Sequence, residues 1–156
     1  MSRTDPRLTA PLDKGDIEKM RKVCKLAART LEHVAKFIKP GITTNEIDQI
    51  VVDFTKSHGA TNGPLGYHGF PKSICTSINE VVCHGLPDGT ILKDGDIINV
   101  DVTPVLDGFF GDSSATFCVP RTLFVIASGT FASINGTCLW AAAWNTTCGA
   151  CLSKML

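Results

Sequence analysis

Charge nearly disappears from the end of this 156-residue chain: from Pro120 to Leu156 only Arg121 and Lys154 are charged, and no Asp or Glu occurs. Globular sequence averages about 25% charged residues, so a stretch of that length would ordinarily carry about nine. Clusters of Lys or Arg are absent as well, and fifteen basic side chains cancel fifteen acidic ones. That balance lacks the electrostatic footprint of a nucleic-acid or anionic-membrane binder, so neither is expected as a partner. The N-terminus shows no charged segment leading into an apolar one, and the seven cysteines are odd in number and scattered. The expectation is therefore reduced thiols and a cytoplasmic location rather than a secreted disulfide framework. No internal repeat or low-complexity run is present.

What is there divides into three parts. Residues 1–13 hold Pro6 and Pro11 and no apolar period, so they read as an extended N-terminal arm. Residues 14–119 have the mixed charge of a folded domain, long enough to bury a core. Residues 120–156 are a divergent tail containing both tryptophans and three of the cysteines.

Within the middle part, Ile17, Met20, Val23, Ala27, Leu31, Val34 and Ile38 recur every three or four positions from Asp16 onward, one face of a helix that Pro40 and Gly41 end. Thr43 with Glu46 forms a capping-box pattern, and Ile47, Ile50, Val51 and Phe54 continue at helical spacing to Gly59. Short β-branched runs follow, separated by Gly, Pro and Asp. The clearest are Ile97 to Leu106 and Phe109 to Val119, joined by Asp107-Gly108, a strong signal for a two-residue hairpin. Two helices followed by antiparallel strands predict an α+β fold, two helices packed on an antiparallel sheet.

The hairpin makes a specific expectation. With Asp107 and Gly108 as the loop, Asp101 faces Ser114 and Asp112 faces Thr103. Alternation then puts Asn99, Asp101, Thr103, Asp112, Ser114 and Thr116 on one face, and Ile98, Val100, Val102, Phe109, Ala115 and Phe117 on the other. Asp101 and Asp112 become diagonal neighbours, about 7 to 8 Å apart at the backbone. That lets both reach a shared cation pair about 3.5 to 4 Å across. A polar sheet face is also what any half-solvated antiparallel sheet presents, and the hairpin alone does not separate the two readings.

The run GYHGFPKSICTSINEVVCHGLPDG from Gly66 to Gly89, followed by DGDIINVDVTPVLDGFFGDSSATF from Asp94 to Phe117, closely resembles type I methionine aminopeptidases. The likeness reaches back more loosely to about Gly15 and stops at about Val119. It implies the N-terminal half of the pita-bread fold, in which two pseudo-symmetric halves enclose two divalent metal ions (Co, Mn, Fe or similar). It further implies that Asp101 binds one metal and Asp112 bridges both. His84 would be the catalytic histidine that contacts the scissile amide, and Tyr67, Phe70 and Cys75, with His84, would bind substrate, an N-terminal Met peptide of a nascent chain. The implied activity is metal-dependent removal of the initiator methionine. Plainer readings stand beside these roles: His-Gly is a common turn pair, and Tyr67 and Phe70 have the chemistry of core aromatics. His33 and His58 read as helix-surface or cap residues, and His68 lies in the motif without a role.

The family completes its site with a further histidine and two glutamates. All four histidines of this chain precede Pro120 and no Glu follows it, so the chain as written is expected to be inactive. Leu123 to Trp144 is uncharged and long enough to span a bilayer, but Ser128, Gly129, Thr130, Asn135, Gly136 and Thr137 dilute it. Cys148 and Cys151 have the spacing of a redox or metal pair, with no second pair to support it. Asn135 and Asn145 open glycosylation-type triplets that need a secretory route. A frame-shifted or misassembled end is the origin expected for residues 120–156. Three functional classes follow: an aminopeptidase by descent, a non-catalytic peptide-binding module, and a membrane-anchored fragment.

Overall fold

The structure, a computed structural model, describes residues 11–119. The first helix, α1, spans Lys14–Ala35, and Asp13 caps it by accepting the Asp16 N–H at 2.8 Å. Its buried stripe is Val23, Leu26, Ala27, Thr30, Leu31 and Val34. Two features differ from the sequence pattern. Ile17 is exposed, and Leu26 and Thr30 are buried instead; Thr30 is accommodated because its hydroxyl donates to the Leu26 carbonyl at 2.8 Å. The helix also stops short of Pro40. Proline disfavours helical backbone at the residue before it, and the chain leaves by two tighter bonds, Lys36 N–H to His33 O and Phe37 N–H to Val34 O. Ile38 is still buried, in the segment beyond.

The second helix, α2, spans Thr44–Ser57 and carries the complete capping box between Thr43 and Glu46. Hydrogen bonds from Thr43 hold the Glu46 carboxyl below its usual range. Ile47 and Val51 are fully buried. Asp48 lies on the same buried stripe and accepts the backbone N–H groups of Ser73 (2.9 Å) and Ile74 (3.1 Å). One carboxylate of α2 thus holds the chain at Ser73–Ile74, where the strand Cys75–Ile78 begins.

Six strands follow: β1 (Thr61–Asn62), β2 (Cys75–Ile78), β3 (Ile97–Val102), β4 (Pro104–Leu106), β5 (Phe109–Phe110) and β6 (Ser113–Cys118). The hairpin forms around Asp107 and Gly108 with φ of 53 and 80, the paired positive values of a type I′ turn. Its register pairs Leu106 with Phe109, Val105 with Phe110 and Asp101 with Ser114, as the loop position dictates.

The hairpin does not make one sheet. It is shared between two three-stranded sheets, ordered β1-β4-β5 near the turn and β2-β3-β6 away from it. The break falls at Thr103 on one arm and Gly111–Asp112 on the other. Pro104 has no N–H to give to a ladder, so it begins a strand rather than continuing one. Gly111 presses against α1: a Cβ there would lie 2.5 Å from the Val23 carbonyl oxygen. Ile98, Val100, Val102, Phe117 and Val119 face the core with Ile74 and Leu92, and both helices pack on that side.

Candidate metal and substrate site

The other face of the hairpin is polar, as alternation requires. Asn99, Asp101 and Thr103 are half-buried, and Asp112, Ser114 and Thr116 are exposed. Asp101 and Asp112 therefore share a face, on either side of the break between the two sheets. Thr103 donates its hydroxyl to Asp112 Oδ1 at 3.3 Å, which orients the second carboxylate from across the hairpin.

β2 brings Cys75 to this group, because Cys75 pairs with Asp101 and so lies on the same face. The Cys75 thiol is buried. Burial pushes it up, and the negative charges of Asp101, Cys83 and Asp112 push it further. Burial likewise raises the Asp101 carboxyl above the usual aspartate range, Asp112 adds to the rise, and His84 opposes it. Asp101 thus interacts electrostatically with Cys75, His84 and Asp112, and Asp112 also with Cys75, across three separate stretches of chain. A buried carboxylate with an anionic neighbour favours a cation between them, and carboxylate oxygens are hard donors suited to Mn, Fe(II) or Co. That donor chemistry fits a divalent ion. Among the described residues, however, no three His, Cys, Asp or Glu side chains converge to hold one.

His84 is exposed and sits at φ 55, an uncommon conformation for a side chain other than glycine. Tyr67 and Phe70 lie on a separate loop. Tyr67 opens a short 3-10 turn, Tyr67–Gly69, and is 69% exposed, so it is no core residue. Its ring meets His68 edge-on at 4.4 Å, and His68 has φ 47. Phe70 is half-buried and closes the loop, donating its N–H to Tyr67 O and accepting from Gly66 N–H. Their backbone is closed by bonds within this loop, which is separate from the strand that carries Asp101.

His33 and His58 take no part in this group. Both lie against Phe54: His33 stacks on its ring at 4.4 Å, and His58 meets it tilted at 4.5 Å. Two residues with a bearing on the site are not evident from sequence pattern, Ser77 and Gly85. Their signal lies in the β2 register, which sets Ser77 two residues along the same face as Cys75. A cleft of about 340 Å³ lined by Thr44, Thr76, Ile78, Leu86, Asp88 and Asp96 shares no side chain with the carboxylate group.

Similarity to known proteins points the same way. The profile of metallopeptidase family M24 matches residues 18–126. Methionine aminopeptidase A of Synechocystis is 58% identical over 109 residues, 69% of this chain and 43% of that protein. Methionine aminopeptidase of Escherichia coli K12 is 55% identical over 108 residues, 68% of this chain and 41% of that protein. The crystal structure of methionine aminopeptidase from Rickettsia prowazekii superposes with a TM-score of 0.69 at 50% identity, covering 70% of this chain and 44% of that one. The chain thus spans less than half the length of these relatives.

Proposed function

This chain belongs to metallopeptidase family M24, and from that premise we propose that it carries the N-terminal part of a methionyl aminopeptidase, the part that supplies two of the metal-binding carboxylates. Its two helices and antiparallel sheets are a partial pita-bread fold. The observation that carries the proposal is the shared face of Asp101 and Asp112 with Cys75 in register beside them.

In this reading Asp101 and Asp112 hold divalent ions, of the Co, Mn or Fe kind. A bound pair of such ions would lower the pKa of a shared water so that hydroxide is available near neutral pH. Thr103 keeps Asp112 turned toward the site through its hydroxyl. His84 donates an imidazole N–H to the carbonyl oxygen of the scissile amide, a contact worth about 3 kcal/mol when preorganised. Cys75 contributes a polarisable wall for the methionine thioether, with Tyr67 and Phe70 completing it from their loop. The substrate class is a peptide with N-terminal methionine. The cytoplasm, where nascent chains emerge and where thiols such as Cys24, Cys75 and Cys83 stay reduced, is the compartment that suits it.

The test is an NMR titration of the chain with Mn²⁺. Line broadening is expected to centre on Asp101, Thr103 and Asp112 and to vanish in Asp101→Ala. Broadening centred elsewhere, or unchanged by that substitution, would sink the assignment. One observation favours a second reading, a non-catalytic peptide-binding module: among the described residues no three ligands converge, and two carboxylates are fewer than a tight site needs. Metal-independent retention of a Met-Ala-Ser peptide without its hydrolysis would select that reading.

A further inference from the structure

The loop carrying His84 is fastened to the sheet at the next residue. β2 is an outer strand, and Gly85 occupies its free edge: Thr76 N–H donates to Gly85 O at 2.8 Å, and Gly85 N–H donates to Ser77 Oγ at 3.2 Å. The approach is so close that a Cβ on residue 85 would fall 2.0 Å from the Thr76 carbonyl oxygen. His84 itself is exposed, so its position is set by backbone rather than by packing around the ring. Its left-handed φ of 55 needs an outside constraint to persist. Ser77 supplies an acceptor for that purpose: it is 5% exposed and pairs with Asn99, on the face shared by Cys75 and Asp101.

We propose that Ser77 is a positioning residue for His84: by accepting the Gly85 N–H, its hydroxyl fixes the left-handed turn that presents the imidazole at the free edge of β2. The role deepens the aminopeptidase reading, in which His84 touches substrate, by naming what holds His84 in place. Gly85 is the other half of the device, since only glycine leaves room for the contact.

The experiment is NMR on the full 156-residue chain, without metal or peptide. Ser77→Ala is expected to speed exchange of the Gly85 amide by about tenfold, the loss of one net hydrogen bond. It should also weaken the NOEs from the His84 ring to β2 and β3, while the cross-strand NOEs between Cys75 and Asp101 stay intact. Ser77→Thr, which keeps a hydroxyl, should restore both signals. Gly85→Ala leaves Ser77 untouched but displaces the loop, and should lose the same ring NOEs. Intact ring NOEs in Ser77→Ala overturn the proposal. So does loss of the Cys75–Asp101 NOEs in that variant, which would make Ser77 a general packing residue. Because no sample contains metal or substrate, failure of the aminopeptidase reading would leave this outcome unaffected.

Discussion

Asp101 is the residue whose environment has the plainest consequence. Its carboxyl is raised by burial first and by Asp112 second, so the folded chain binds that proton more tightly than the unfolded chain. The stability this protonation contributes is complete below the ordinary aspartate range and is lost as pH rises through the folded value. Asp101→Asn resembles the protonated form. It is therefore expected to raise the melting temperature of the metal-free chain at about pH 7 and to change it little at about pH 3. An equal gain at both pH values would assign the effect to something other than this charge. Gly111 makes a second prediction at the same scale. A Cβ there meets the backbone of Val23 at 2.5 Å, which neither element can relieve by a rotamer change. Gly111→Ala should cost about 1 to 3 kcal/mol in chemical denaturation, as an overpacked core does. Sequence alternation was enough to put Asp101 and Asp112 on one face. It was silent about Gly111 and Gly85, because the reason for each is a carbonyl contributed by a distant element.

The elements were legible where local chemistry decides them. The Thr43–Glu46 box and the Asp107-Gly108 turn are short-range interactions, and both form as their residues require. Thr43→Ala removes the acceptor for the Glu46 N–H and should cost about 1 kcal/mol, read as a fall in melting temperature with α2 still formed. Elements whose limits depend on long-range contacts were less legible. α1 ends at Ala35 rather than at the proline, and one expected sheet is two, because the hairpin bends where Gly111 meets α1. Asp48 belongs to this second kind. Read from sequence it is a polar residue within an amphipathic helix; in the fold it is a buried acceptor for two strand N–H groups. Asp48→Ala would leave both donors without partners, and a loss of about 2 kcal/mol is expected. Asp48→Asn, which retains one oxygen acceptor, should recover part of it. Equal stability of the alanine variant and the native chain would show that water replaces the carboxylate at no cost.

At the scale of the whole molecule, the question is how much of a metal centre residues 11–119 assemble. They place Asp101, Asp112 and Cys75 on one face, with His84 in electrostatic reach of Asp101, and among the described residues no three side chains cluster as metal ligands. The expectations placed on residues 120–156, a bilayer span, a Cys148–Cys151 pair and a frame-shifted end, lie outside the described residues; among the described residues no helix is long and apolar enough to cross a membrane. The composition of the chain nevertheless limits where further ligands could come from. After Val119 there is no His, Asp or Glu, but there are three cysteines. Two hard carboxylates without further protein ligands should bind Mn²⁺ with a dissociation constant on the order of 1 mM, the range of weak oxygen-donor sites. Calorimetric titration of the 156-residue chain measures this directly. Should binding instead be micromolar or tighter, further ligands take part; thiolates from residues 120–156 are one source, and soft donors change metal preference: Zn²⁺ would then exceed Mn²⁺ by far more than at a carboxylate pair. Replacing Cys138, Cys148 and Cys151 by serine discriminates between the two outcomes and leaves Cys75, beside Asp101, untouched. It should leave the weak Mn²⁺ affinity of an Asp101–Asp112 site nearly unchanged, and a large loss in that variant would refute a site built from the two carboxylates alone.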